Sequence, residues 1–288
     1  MKAYLLVKSL YRQIKTDLLS AASKETARKD KKYHKYDGHR SYGIKAASLA
    51  RILKPYKASI CELSCKDTLA LAEMLYKDRI EEAILAGNFV LQTNNGCLGK
   101  SQLSFFDRAL DYFCSWSTVD DFCIDVMQAV LIEYPEASLR LLAKWNKSEN
   151  MWKRRASVVT FVRKLGESGE FTKPALGFCE NLIWDEEDLV LKGVGWCLKD
   201  LMRGDKTRVL SYVKELRERG VSSTITLYAI RDLVGKERAA ILKAGVRKKK
   251  FAGVIVGKGN LAGKAVYADK DFSKGELVIQ YNLKRLTK

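Results

Sequence analysis

Proline is scarce in this chain: Pro55, Pro135 and Pro174 are the only three in 288 residues. There are only two histidines (His34 and His39), no Cys-x-x-Cys pair, and no apolar run of membrane-spanning length. Each shortage excludes something. The longest charge-free stretch, residues 83–99, is interrupted by Asn88, Gln92, Thr93, Asn94 and Asn95, so no transmembrane helix and no membrane partner is expected. Lys2, Lys8 and Arg12 interleave with the first apolar residues, unlike a secretory signal. The seven cysteines are odd in number and scattered, which reads as reduced thiols of an intracellular protein, nuclear or cytoplasmic, rather than a disulfide framework. Both histidines lie far from most cysteines, so no zinc site is expected. Cys61 and Cys65 share a helical face and read as small buried hydrophobes.

What is present is basic charge: 52 Lys+Arg against 34 Asp+Glu, a net +18. With 47% hydrophobic residues the chain can bury a core, so it is no disordered basic tail, and the charge points to a polyanion partner. Apolar residues recur at three and four spacings, as in Leu103, Phe106, Leu110, Phe113 and in Phe122, Val126, Val130. Breaks fall at Asn94-Asn95-Gly96, Tyr134-Pro135, 166–169, Gly204-Asp205 and Gly220-Val221-Ser222. Eleven or twelve short helices are expected up to Gly245. The fold class is all-α, an α-α superhelix of the HEAT or armadillo kind, with an ordinary helical bundle as the alternative. Two regions follow: residues 1–246 as the helical domain, and 247–288 as a basic linker (Arg247, Lys248, Lys249, Lys250) plus a short β-rich extension.

All five tryptophans fall between positions 116 and 196. Trp116 and Asp120 stand four residues apart and can share a helix face, although Ser117-x-x-Asp120 also fits a helix capping box. Asn150-x-Trp152 opens the next long helix and leads to Arg155, 35 residues after Asp120; Gly195-Trp196 follows 41 residues later. Those intervals approach the roughly 40-residue period of helix-pair arrays, in which residues one period apart line one concave surface. Trp116, Asp120, Arg155 and Trp196 are therefore expected to converge on a groove. The alternatives are a solvated helix-face cation for Arg155 and a core residue for Trp196. Asp121 and Asp125 read as solvated or capping residues.

At these positions the chain resembles the HEAT-like-repeat DNA alkylation repair proteins of the AlkD type, monofunctional alkylpurine DNA glycosylases. Their pattern is a tryptophan-rich stretch ending Trp-x-x-x-Asp, an Asn-x-Trp-x-x-Arg helix start, and a Gly-Trp-x-x-Arg helix, matched here at 115–120, 150–155 and 195–199. Ser41-Tyr42-Gly43-Ile44 resembles the family's aromatic-Gly-Ile turn. The resemblance implies Asp120 as the catalytic carboxylate, Trp116 and Trp196 as aromatic walls, and Arg155 as a DNA-facing cation. It also implies no metal and no cofactor. Two departures stand out: Ser115 where the family has a second tryptophan, and Lys199 where it has arginine. A lysine keeps the charge but loses the bidentate fork.

The implied chemistry is self-consistent. Purines alkylated at N3 or N7 are cationic and leave without a general acid; one carboxylate can stabilise the oxocarbenium character that develops on the sugar. Aromatic faces attract the cationic base, each contact worth about 0.5–2 kcal/mol. Basic clusters interleaved with aromatics supply phosphate contacts: residues 28–45, including Tyr42 and Lys45, and a second group with Trp152, Lys153, Arg154, Arg155 and Arg163. The expected partner is double-stranded DNA with alkylated bases, bound by a monomer. A non-catalytic DNA- or RNA-binding module and a protein-interaction scaffold are the alternatives. The C-terminal residues 256–281, with Val256-Gly257-Lys258-Gly259 and Ser273-Lys274-Gly275, resemble the opening of a SET domain. Only seven residues follow Tyr281, too few for the later cofactor motif and catalytic tyrosine, so no methyltransferase activity is expected.

Overall fold

The computed structural model describes residues 2–34, 36–243, 254–258, 264–268 and 270–273. Among these, residues 2–243 form seventeen short α-helices, linked by four 3-10 turns and one π-helical turn. That exceeds the eleven or twelve expected. Apolar periodicity runs across local breaks: the series Phe122, Val126, Val130 spans the helix Trp116–Phe122, the π turn Cys123–Met127 and the helix Gln128–Glu133. The punctuation residues do end helices. Thr93 closes one before Asn94, Pro135 opens another, and Gly204-Asp205 separates Asp188–Gly204 from Lys206–Glu218.

Caps explain several starts. The side chains of Ser64, Ser115, Asn150, Asp205 and Ser222 each accept a backbone N–H of the helix they precede. Ser115, in extended backbone, caps Trp116–Phe122 through the Thr118 N–H, so the anticipated Ser117-x-x-Asp120 capping box does not form. Asp120 is thereby left for other work.

Neighbouring helices pack in succession, Cys65–Lys77 on Glu81–Thr93 and Pro135–Asn146 on Met151–Val159, an arrangement consistent with an α-helical superhelix. The helix Asp188–Gly204 packs on Met151–Val159 on one side and Ser223–Ala229 on the other. Gly195 makes the second contact possible: a Cβ there would sit 2.7 Å from the Tyr228 Cβ and 3.0 Å from the Ile225 carbonyl oxygen. One continuous core runs through these helices, with Ile14, Leu75, Phe106, Trp145, Phe161, Val194 and Ile225 fully enclosed. Each such side chain contributes about 1.5–3 kcal/mol of burial free energy. No helix of the described residues is long and apolar enough to cross a membrane.

Near the N-terminus the turn 41–44 is locked by one carboxylate. Glu82 accepts the Ser41 hydroxyl and the backbone N–H groups of Tyr42 and Ile44, each at 2.8 Å. Gly43 has φ +77, and a Cβ on it would strike the Ser23 carbonyl oxygen at 2.2 Å, so only glycine fits.

The cysteine expectations need correction. Cys65 and Cys97 form a disulfide, and Cys61 is exposed rather than buried. Cys61 ends one helix and Cys65 begins the next, so they share no helical face. Pairing Cys65–Lys77 with Glu81–Thr93 returns the chain to its starting point, which brings Cys97 beside Cys65. Cys114, Cys123, Cys179 and Cys197 are buried free thiols.

In the C-terminal region, Val254–Lys258 pairs antiparallel with Lys264–Ala268, Val256 opposite Val266. The basic run 247–250, Gly259, Gly263, Lys274, Gly275 and the segment 277–281 lie outside the described residues.

Candidate active site

A cleft of about 1120 Å³ opens between the N-terminal helices and the middle of the chain. Its wall includes Tyr33, His34, Trp116, Asp120, Asp121, Asp125, Arg155, Arg163, Trp196 and Tyr228. Four residues picked from the sequence, Trp116, Asp120, Arg155 and Trp196, thus share one concavity.

The centre is an ion pair. Asp120, on Trp116–Phe122, is 7% exposed, and Arg155, on Met151–Val159, is 5% exposed. The Arg155 Nε donates to Asp120 Oδ1 and its Nη2 to Oδ2, both at 2.8 Å, a fork-on-fork contact that fixes the plane of the carboxylate. The remaining Arg155 Nη1 donates to the Leu189 carbonyl oxygen. Arg155 is therefore neither a solvated helix-face cation nor free to swing out. Burial lifts the Asp120 carboxyl above its ordinary value, and the guanidinium opposes that lift.

Asp121 and Asp125 are not the solvated or capping groups expected. Both line the cleft, and burial together with the nearby Asp125 pushes the Asp121 carboxyl up to about 7 despite a hydrogen bond from Asn88 at 2.8 Å. Burial raises Asp125 too. The Asn88 amide also donates to the Thr118 carbonyl oxygen and accepts from the buried Tyr76 hydroxyl, so a hydrogen-bonded chain holds Asp121 in place. The doublet Asp120-Asp121 was the available signal. Adjacent residues diverge by about 100° on a helix, but the cleft is wide enough to take both.

The aromatic walls differ in support. Trp116 stacks on His34 (centroids 5.1 Å apart, 28° between planes) and meets the exposed Tyr33 edge-on at 6.0 Å. Trp196 is half-buried, with the Arg163 guanidinium 5.9 Å over its ring. Arg163 has φ +55, and its N–H donates to Asp200 at 2.7 Å. A non-glycine residue there stores about 1–3 kcal/mol of strain, held by that buried carboxylate.

The other picked residues lie elsewhere. Lys199 pairs with Asp200 at 3.0 Å and reaches toward Asp232; it does not line the cleft. Arg154 forks onto Asp185, and Lys153 bridges Asp107 and Asp111. Trp152 is buried against Tyr36. Tyr42 is partly buried at the turn Glu82 locks, and Lys45 is exposed beyond it. The cations that do line the cleft besides Arg155 are Lys29, Lys32, Arg163 and Lys192.

Residues 2–243 thus form a helical array that holds a clamped carboxylate in a cleft lined by two tryptophans and several cations. The family sequence profile of the DNA alkylation repair enzyme matches residues 14–233, and the chain belongs to that family. Among solved structures it is similar to one described as a predicted DNA alkylation repair enzyme from Enterococcus faecalis, with 18% identity and a TM-score of 0.62, over 74% of this chain and 97% of that one. It is also similar to the Pseudomonas fluorescens alkylpurine DNA glycosylase AlkC bound to DNA containing an abasic site analog, with 18% identity and a TM-score of 0.51, over 87% of this chain and 67% of that one. At such identities the likeness shows the fold. Among curated proteins, none matches significantly.

Proposed function

We propose that this protein is a monofunctional DNA glycosylase that hydrolyses the N-glycosidic bond of cationic N3- or N7-alkylated purines in double-stranded DNA. The observation that carries the reading is the Asp120 carboxylate, fixed by Arg155 at the wall of a cleft that also holds Trp116 and Trp196. When the bond breaks, its electron pair passes to the alkylated purine, which leaves neutral, while positive charge builds at the sugar C1′. The fixed carboxylate stabilises that charge without reorganising. Water then adds to C1′, and its proton departs to solvent. Trp116, Trp196 and Tyr228 hold the cationic base and sugar by their faces. Lys29, Lys32, Arg163 and Lys192 contact phosphates, which grips any sequence and suits a lesion search. The scaffold in this reading is a HEAT-like array, with Asp120, Arg155 and Trp196 about one repeat apart, and the protein acts as a monomer.

One observation favours a second reading. Asp120 is so fully engaged by Arg155 that the pair also works as a purely structural clamp, leaving a DNA-binding module without chemistry. Incubation with methylated duplex DNA separates the two. Release of 3-methyladenine or 7-methylguanine that is lost in Asp120→Asn supports the enzyme. Salt-dependent binding of the same duplex with no base release supports the module.

A further inference from the structure

Beside Trp116, and reaching the cleft wall through His34, lies a cluster that excision does not use. His34 at the end of Lys24–His34, His39 in the following loop and Glu81 at the start of Glu81–Thr93 are 8%, 4% and 8% exposed. Their potential ligand atoms all lie within 4.8 Å of one another. Both Nε2 atoms face the same carboxylate oxygen: His34 Nε2 is 3.5 Å from Glu81 Oε2, and His39 Nε2 is in hydrogen-bond contact with it.

We propose that His34, His39 and Glu81 form a binding site for a divalent cation of the zinc class. Two imidazoles and one carboxylate are a donor set that borderline ions prefer, with a fourth position left for water. Bonds of about 2.0–2.2 Å in a tetrahedral site place neighbouring ligand atoms about 3.4 Å apart, close to the His34–Glu81 spacing. Nδ1 of both rings is buried without a partner among the described residues, and the proton that His39 Nε2 shares with Glu81 is released when the ion takes its place. The rings stack at 4.0 Å and 11°, and binding one ion through both lone pairs requires the two imidazoles to turn out of that stack. Ser117 donates to Glu81 Oε1, orienting the carboxylate so that Oε2 faces the histidines. Because His34 also stacks on Trp116, the ion ties the N-terminal helices to one wall of the cleft. It acts there as a structural staple, independent of the chemistry at Asp120.

The test is cobalt(II) and zinc(II) binding by the full chain, stripped of metal, oxidised to keep Cys65 and Cys97 paired, and carrying Cys61→Ser to remove the exposed thiol. One equivalent of cobalt should give the intense visible bands of a tetrahedral site, and zinc should displace it and raise the melting temperature. His34→Gln and His39→Gln should each abolish the bands; Glu81→Gln and Ser117→Ala should weaken binding about tenfold or more. Asp120→Asn should bind cobalt as the parent does. No uptake by the parent protein overturns the proposal whatever the variants do, and so does undiminished uptake by the His34→Gln/His39→Gln double variant.

Discussion

Arg155 holds both carboxylate oxygens of Asp120 at 2.8 Å, across 35 residues of chain and between two helices. Removing the guanidinium strands a buried carboxylate, and breaking such pairs costs about 3–5 kcal/mol. Arg155→Ala is therefore expected to lower the denaturation midpoint sharply and to end base release. Asp120→Asn keeps the shape and one hydrogen bond but leaves the buried Arg155 guanidinium without its counter-charge, so it should lose release and also lose stability, by less than Arg155→Ala does. Urea unfolding and single-turnover excision on the same samples check this. A fully active Asp120→Asn protein would remove the carboxylate from the mechanism.

Asp121 makes a separate claim about pH. Its carboxyl titrates near 7 in the fold, against about 4 in an unfolded chain. The folded state thus binds the extra proton between those values, and the stability this group supplies is lost as pH rises through the window. The wild type should lose more stability between pH 5 and about 8 than Asp121→Asn does. Urea midpoints of the two proteins across that range provide the comparison. Parallel curves would mean that Asp121 is ionised throughout.

The disulfide links residues 32 apart in sequence. Closing a loop of that length restrains the unfolded chain by about 3–4 kcal/mol. Reductant should lower the melting temperature of the wild type and leave Cys97→Ser unchanged. If both respond alike, or neither does, the bridge is not formed in solution.

These predictions divide along the line between what local pattern encodes and what only packing decides. Helical character was legible because apolar residues at three and four spacings need no knowledge of neighbours. So were the breaks at Asn94, Pro135 and Gly204, since they rest on local backbone preferences. The meeting of Trp116, Asp120, Arg155 and Trp196 in one cleft is what their spacing led one to expect. The cap at Ser115 was not legible, because Ser115 and Ser117 are equivalent until one of them adopts extended backbone. The Cys65–Cys97 bridge depends on two helices pairing antiparallel, and the fate of Lys199 depends on its neighbour Asp200 and on Asp232, which packing brings within 3.7 Å. His34, His39 and Glu81 come from three separate elements, and no spacing rule joins them.

Gly195 is where the helix bearing Trp196 meets the helix bearing Tyr228. Gly195→Ala would drive a Cβ into a 2.7 Å contact with the Tyr228 Cβ, and such overpacking costs about 1–3 kcal/mol. Because Trp196 and Tyr228 both line the cleft, the variant should also bind DNA more weakly, beyond what its lower stability explains. Affinity measured well below the melting transition separates the two effects. Unchanged stability would mean that the helices shift apart at little cost.

Arg163 sets stability against function at one residue. Its φ of +55 suits glycine, yet the side chain it carries lies over Trp196 at the edge of the cleft. Arg163→Gly relieves about 1–3 kcal/mol of backbone strain. Against that stand a cation–π contact worth about 0.5–1 kcal/mol at a partly exposed site and the greater freedom of glycine in the unfolded chain. The unfolding free energy should therefore be unchanged or higher by about 1 kcal/mol, since the Asp200 hydrogen bond uses the backbone N–H and survives. DNA binding should move the other way. Losing one phosphate-contacting cation lowers affinity for all sequences and reduces the salt slope by about one. Stability from denaturant titration and affinity across a salt series give both numbers. A variant that is markedly destabilised while binding DNA normally would reverse the assignment, making Arg163 a structural residue and leaving Trp196 without its cation in the proposed interface.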